Sequence, residues 1–180
     1  MRILIVYMSH TGTVRDCVDL LKKELNSHEV DLCDLSERVL LPEGYDAVVL
    51  GGYIHSGKLP PELAQYLKSF EEALLKTRLG LFLCCGFTDR SDEYFIKNFQ
   101  KSLRDHAFAV MPLGGRLRSS DAKSILDKLI IWYMRSNISR SEDHLEGEFR
   151  RVLPGILPDQ IGLLAQKLKA SAQEPVREPD

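Results

Sequence analysis

Apolar residues fill positions Ile3 to Met8 without alternation, the pattern of a strand buried on both faces. The period then changes. From Gly12 to Leu25 the apolar residues Val14, Cys17, Val18, Leu21 and Leu25 fall on one side of a helix. The same alternation of run and helix repeats down the chain. Val30–Leu32 predicts a short second strand, Ala47–Gly52 a third, Leu79–Cys85 a fourth and Ala107–Leu113 a fifth that stops at Gly114–Gly115. Between them, Pro60–Pro61 opens a helix reaching Leu75, with proline in its favoured first turn, and a further helix is expected around Asp92–Leu103. Continuous apolar strands separated by helices imply a parallel sheet covered on both faces, a three-layer α/β sandwich. Such sheets bind ligands at the carboxyl ends of their strands, which directs attention to Ser9–Thr13, Tyr53–Lys58, Gly86–Ser91 and Gly114–Ser120.

Composition narrows the classes. The 180 residues are 44% hydrophobic and 28% charged, consistent with one domain over 1–170 and a polar, proline-containing tail over 171–180. With 24 Lys and Arg against 26 Asp and Glu there is no cationic excess to displace counterions from phosphates, so nucleic acid is not an expected partner. Cys17, Cys33, Cys84 and Cys85 form no C-x-x-C and read as reduced thiols of a cytoplasmic protein, with no metal site expected. The apolar start is too short for a signal peptide, and no run of about 18 apolar residues spans a bilayer.

The first loop carries the strongest chemistry. Ser9-His10-Thr11-Gly12-Thr13 places three hydroxyls and one glycine between the first strand and the first helix. Helix amino termini present unpaired N–H groups and a partial positive charge that suit a phosphate, and Gly12 lets the backbone close around its oxygens. An ordinary cap would need a single hydroxyl. The run Ile5-Val6-Tyr7-Met8-Ser9-His10-Thr11-Gly12-Thr13 resembles the S-x-T-G-x-T phosphate loop of flavodoxins; Val14 stands where that family usually has threonine. The resemblance implies a five-stranded sheet of order 2-1-3-4-5, FMN as cofactor, and contacts from Ser9, His10, Thr11, Gly12, Thr13 and Val14.

Gly52-Tyr53-Ile54-His55-Ser56-Gly57-Lys58 also matches the G-x-x-x-x-G-K core of a nucleotide-phosphate loop. Leu59 occupies the place of the magnesium-binding hydroxyl and Pro60–Pro61 follow at once, which rejects that reading. The segment makes better sense as a flavin-ring loop. Tyr53 and His55 are flat, and the Gly57 peptide can turn its carbonyl toward a ring nitrogen. In the resemblance this is the second FMN loop, Tyr53, Ile54, His55, Ser56 and Gly57, though the family's common tryptophan is missing. Cys85, Gly86, Phe87 and Thr88 take the position of the third. A plain surface turn remains an alternative for the second loop. A response-regulator receiver would need an acidic pair after the first strand, where Met8-Ser9 stands.

Beyond the fifth strand the chain carries an extra segment, 116–155, before its last helix. Arg116–Arg140 holds six basic residues against two acidic, together with Ile125, Leu126, Leu129, Ile130, Ile131, Trp132, Tyr133 and Met134. Two accounts stay open: a helix packed on the domain, or a site for a hydrophobic anionic partner such as a porphyrin, a quinone or anionic lipid touched by 123–135 at a membrane surface. Gly114-Gly115-Arg116-Leu117-Arg118 with Leu126-Asp127-Lys128-Leu129-Ile130 is similar to the helical insertion of menaquinone-dependent protoporphyrinogen IX dehydrogenases. That likeness implies an FMN-dependent oxidoreductase passing electrons from a reduced substrate to a quinone, with Arg116 and Arg118 on the substrate carboxylates. No catalytic acid or base can be assigned. The alternatives are a flavodoxin-type electron carrier that docks a redox partner protein, and a flavodoxin-like binding module that has lost FMN.

Overall fold

The computed structural model describes residues 1–86, 88–115 and 155–173. Five strands form one parallel sheet: β1 (Arg2–Met8), β2 (Glu29–Asp34), β3 (Ala47–Tyr53), β4 (Arg78–Cys84) and β5 (Ala109–Pro112). Their order is β2-β1-β3-β4-β5, as the resemblance implies. The central strand β1 pairs with both neighbours, setting Tyr7 opposite Asp34 of β2 and Gly51 of β3.

Alternate positions of each strand feed two cores. Ile3, Ile5, Tyr7, Val49, Phe82 and Met111 face α1 (Thr13–Glu24) and the last described helix, α6 (Pro158–Ser171). Leu4, Val6, Val48, Leu50, Leu81 and Leu83 face the other layer, built from α2 (Pro61–Ser69), α3 (Glu71–Leu74), α4 (Ser91–Asn98) and α5 (Lys101–His106). Period-two alternation sends apolar side chains to both faces, which is why the runs look continuous in sequence.

The strands β3, β4 and β5 differ from the expected bounds by one or two residues at an end, and three other elements depart further. The second strand is longer than Val30–Leu32 because the charged residues at its two ends are satisfied: Arg2 Nε lies 3.4 Å from Glu29, and Asp34 accepts from the Ser36 amide at 3.0 Å. The helix expected to Leu75 breaks at Phe70 (φ −116°), where its ring settles 4.6 Å from that of Tyr66. The helix expected over Asp92–Leu103 is two. Phe99 is extended (φ −114°, ψ 138°), which lets both Phe95 and Phe99 enter the core with ring centroids 5.5 Å apart. A 3-10 turn, Thr88–Arg90, precedes α4.

Candidate functional site

The first three of the loops marked by the sequence all leave the carboxyl ends of their strands, β1, β3 and β4, which are adjacent in the sheet. In the first, Gly12 is the residue before α1 and sits at φ 89°, the left-handed region that favours glycine. A Cβ built on it would meet nothing within 4 Å, so the backbone there borders open space. The helical ladder begins with Asp16 N–H donating to the Gly12 carbonyl at 2.9 Å. The amides of Thr13 and Val14 precede that bond and have no intrahelical acceptor. Ser9 Oγ accepts from the Arg15 amide at 3.4 Å, which ties the loop to the helix start.

Thr13 carries the decisive feature. Its side chain is buried, and its hydroxyl is one of two buried side-chain polar atoms without a hydrogen-bond partner among the described residues. An orphaned buried hydroxyl costs about 1–3 kcal/mol. Placed in the first turn of α1, beside two amides without intrahelical acceptors and the positive end of the helix dipole, it fits an anion with several acceptor oxygens. Val14 adds its amide alone, because its side chain is buried in the core that α1 shares with the sheet and α6.

An ion network braces this turn. The Arg15 guanidinium reaches Asp34 at 3.3 Å and Glu37 at 3.2 Å, linking α1 to the end of β2. Asp34 is buried and also accepts from the Ser36 amide and hydroxyl at 3.0 and 2.7 Å. Burial pushes the Tyr7 phenol up, while its hydrogen bond with Arg15 pulls it back. Arg15 is thereby engaged by carboxylates and by Tyr7.

The second loop follows β3. The Tyr53 ring lies 5.9 Å from that of His10 at an interplanar angle of 37°, so the first two loops meet through aromatic side chains. His55 and Lys58 exchange both backbone hydrogen bonds at 3.0 Å around Ser56 (φ 51°) and Gly57 (φ 76°), a two-residue hairpin with both central residues left-handed. Helix α2 starts only at Pro61, so Gly57-Lys58 opens no helix and the nucleotide-loop match has no structural counterpart. The third loop joins the second where the Ile54 amide donates to the Cys84 carbonyl at 3.4 Å. Cys85 is buried, Gly86 and Thr88 lie at the surface side of the same bend, and Phe87 lies outside the described residues.

The cysteines form a core contact. Cys84 Sγ lies 3.6 Å from Cys17 Sγ, one helical turn beneath Thr13. That contact, with burial, pushes the Cys84 thiol well above its ordinary range, the opposite of what a reactive thiolate needs. Among the described residues no three His, Cys, Asp or Glu side chains gather as a metal site, and no helix is long and apolar enough to cross a membrane.

Comparison with known proteins fixes the family. A profile of the flavodoxin domain matches residues 4–144, most of the chain. The chain belongs to the flavodoxin domain family. Among solved structures, the flavodiiron protein of Giardia intestinalis aligns at 12% identity with a TM-score of 0.51, covering 96% of this chain and 37% of that one. Flavodoxin 1 of Bacillus cereus aligns at 13% identity with a TM-score of 0.45, over 78% of this flavodoxin domain and 98% of its own length. A Fusobacterium nucleatum flavodoxin bound to flavin mononucleotide aligns at 14% identity and 0.47, over 78% and 98%. At these identities the likeness is one of fold. No curated protein matches the sequence.

Ser9, His10, Thr11, Gly12, Thr13, Val14, Tyr53, Ile54, His55, Ser56, Gly57, Cys85, Gly86 and Thr88 of this flavodoxin domain thus lie on the loops, and on the element ends that adjoin them, at one end of the sheet. Arg116, Arg118 and the segment 123–135 lie outside the described residues. Sequence reasoning missed Arg15, Asp34 and Asn98. Nothing in local pattern marks an arginine in a first helical turn, or an asparagine 41 residues from the glycine it touches.

Proposed function

We propose that this flavodoxin domain binds FMN through its phosphate and serves in electron transfer, with an oxidoreductase of the protoporphyrinogen dehydrogenase type as the specific reading. The observation that supports cofactor binding is the buried, unpartnered Thr13 hydroxyl at the start of α1 beside the open Gly12 backbone. Ser9, Thr11, Gly12, Thr13 and the Val14 amide would hold the phosphate; Tyr53 and His55 would border the ring, with Cys85 and Gly86 offering backbone groups. Bound FMN would supply hydride and single-electron chemistry, and the protein positions it and shields it from water. The support for a porphyrinogen substrate is the Gly114-Gly115-Arg116-Leu117-Arg118 run and the basic, apolar composition of Arg116–Arg140, whose guanidinium groups suit carboxylates. A quinone would accept the electrons.

Calorimetry with FMN and riboflavin tests the first step. If the helix start holds the phosphate, riboflavin binds about 100-fold more weakly, the effect of losing two or more charge-assisted hydrogen bonds. Equal affinities, or none, overturn the phosphate reading. Turnover of protoporphyrinogen with a quinone acceptor tests the second step. A flavin-loaded protein that binds FMN and gives no turnover is an electron carrier.

A further inference from the structure

Two buried sulfurs meet behind the first loop. Cys17 enters from α1 the core that this helix shares with the sheet, and Cys84 ends β4 in the same core. Their Sγ atoms lie 3.6 Å apart although the residues are 67 apart in the chain. Cys33 belongs to the opposite core, where its sulfur is held by the Arg38 carbonyl at 3.4 Å and the Leu40 amide at 3.3 Å.

The two thiols stand in series. Cys84 S–H donates to Cys17 Sγ, and Cys17 S–H donates to the Leu113 carbonyl at 3.9 Å. That carbonyl also accepts from the Leu157 amide at 3.0 Å. Loss of both thiol hydrogens therefore orphans no buried acceptor, which is the usual cost of breaking a buried polar contact. Burial and the contact with Cys17 hold the proton on Cys84, so Cys17 is the sulfur that attacks. Cys17 is fully enclosed and Cys84 is 4% exposed, a setting that admits a reagent the size of water and excludes a protein thiol.

We propose that Cys17 and Cys84 are a reversible dithiol–disulfide pair, closed by hydrogen peroxide, whose closure weakens the anion site at the start of α1. The second half rests on the proposal that FMN binds there. The Cys17 sulfur attacks one peroxide oxygen, the O–O bond breaks, and the departing hydroxide takes the Cys17 proton and leaves as water. The Cys84 sulfur then attacks the Cys17 sulfenic acid. The S–O bond breaks and a second water carries off the Cys84 proton. Two thiols lose two electrons in all, and peroxide gains them. A disulfide is about 2.05 Å long, so the sulfurs must approach by about 1.5 Å. Cys17 lies one turn from Thr13, and Cys84 adjoins Cys85 and Gly86 of the third loop, so the approach shifts two sides of the candidate site against each other. Binding constellations hold their geometry to within about 0.5 Å, less than this shift.

The test treats the reduced, full-length protein with hydrogen peroxide, then denatures, alkylates and weighs it. Expected is a species lighter by two hydrogens, with two thiols protected from alkylation and a peptide map that joins Cys17 to Cys84. Dithiothreitol should restore the starting mass. The closed form should have an unfolding constant in urea about 100-fold smaller, the ordinary gain from a cross-link over a long loop. FMN should bind it about tenfold more weakly than it binds the reduced protein in calorimetry. Cys17→Ser should abolish both changes, and Cys84→Ala gives the same reading should serine in the core prevent folding. A bridge through Cys33 or Cys85, oxidation that stops at added oxygen, or an unchanged mass overturns the pair. A closed bridge with unaltered FMN affinity overturns the switch while FMN binding stands. Reduced protein that takes up no FMN overturns the functional proposal and the switch with it, and the mass and urea readings then decide the pair by themselves.

Discussion

The first and second loops solve opposite problems with similar residues. Around Gly12 the chain leaves groups unmet: a buried Thr13 hydroxyl without a partner and two helix-start amides without intrahelical acceptors. Around Gly57 it leaves almost none, since the hairpin closes on itself at 3.0 Å and Asn98 takes the Gly57 carbonyl and the Leu59 amide. Both loops contain a glycine at positive φ, 89° and 76°. The difference lies in what the neighbouring polar groups do. Open donors in a fixed frame are a receptor for charge, whereas satisfied groups in a fixed frame make a wall. The first loop should therefore respond strongly to changes that move its donors, and its response should appear in ligand affinity more than in folding.

The largest break in that contrast comes from Gly12→Val. A β-branched residue is forced into the left-handed region at φ 89°, costing about 1–3 kcal/mol of stability, which urea unfolding measures. The new side chain would also enter the open space that a Cβ at this position borders, so FMN affinity should fall by more than tenfold in calorimetry. Stability lost with affinity kept would mean that the open space is not where the cofactor's phosphate sits.

Thr13→Val sharpens the comparison with a smaller change of opposite signs. Valine keeps the shape and removes a hydroxyl that is buried without a partner. The apoprotein should become more stable, by up to about 1–3 kcal/mol, because the desolvation cost of an orphaned group disappears. FMN affinity should fall roughly tenfold, the value of one hydrogen bond to a charged acceptor. Thermal unfolding with and without FMN reads both effects on one preparation. A destabilised apoprotein would show that the hydroxyl has a structural partner.

The fold was legible in the sequence because burial on both faces of β1, β3 and β4 leaves uninterrupted apolar runs, and each run ends at a loop rich in Ser, Thr or Gly. The phosphate loop was legible for the same reason: Ser9, Thr11, Gly12 and Thr13 are neighbours in the chain. What escaped depends on contacts between distant segments. The extended backbone at Phe99 reflects competition between helix continuation and burial of two phenylalanine rings, which no local period encodes. Asn98 was silent because its partners Gly57 and Leu59 come from the preceding β-α unit. Arg15 carried no signal of its own, since the carboxylates it reaches, Asp34 and Glu37, lie about twenty residues further along the chain. The second strand was shortened because Glu29 and Asp34 at its ends look unlike strand residues until Arg2 and Arg15 are placed beside them.

The smallest expected effect concerns the other orphan among the described residues, His28 Nε2, just beyond the far end of α1. It shares a symptom with Thr13 but not a cause. Burial pushes the His28 imidazole below its ordinary pKa, helped by the amino-terminal ammonium and Lys169. The folded state therefore binds fewer protons than the unfolded state once pH falls toward the unfolded value near about 6.5. His28 adds no pH-dependent cost while both states are neutral above that value. Stability is lost as pH drops from about 6.5 toward the folded pKa, with a slope of at most about 1.4 kcal/mol per pH unit. His28→Gln should remove this component, so that wild type and variant diverge between about pH 7 and pH 5 in urea unfolding and the difference grows toward acid. FMN should leave that difference untouched, because the residue lies at the opposite end of the helix from Gly12. If FMN instead erased it, the two unpartnered atoms would answer to one event, and the Thr13 hydroxyl would lose its standing as a mark of the phosphate site.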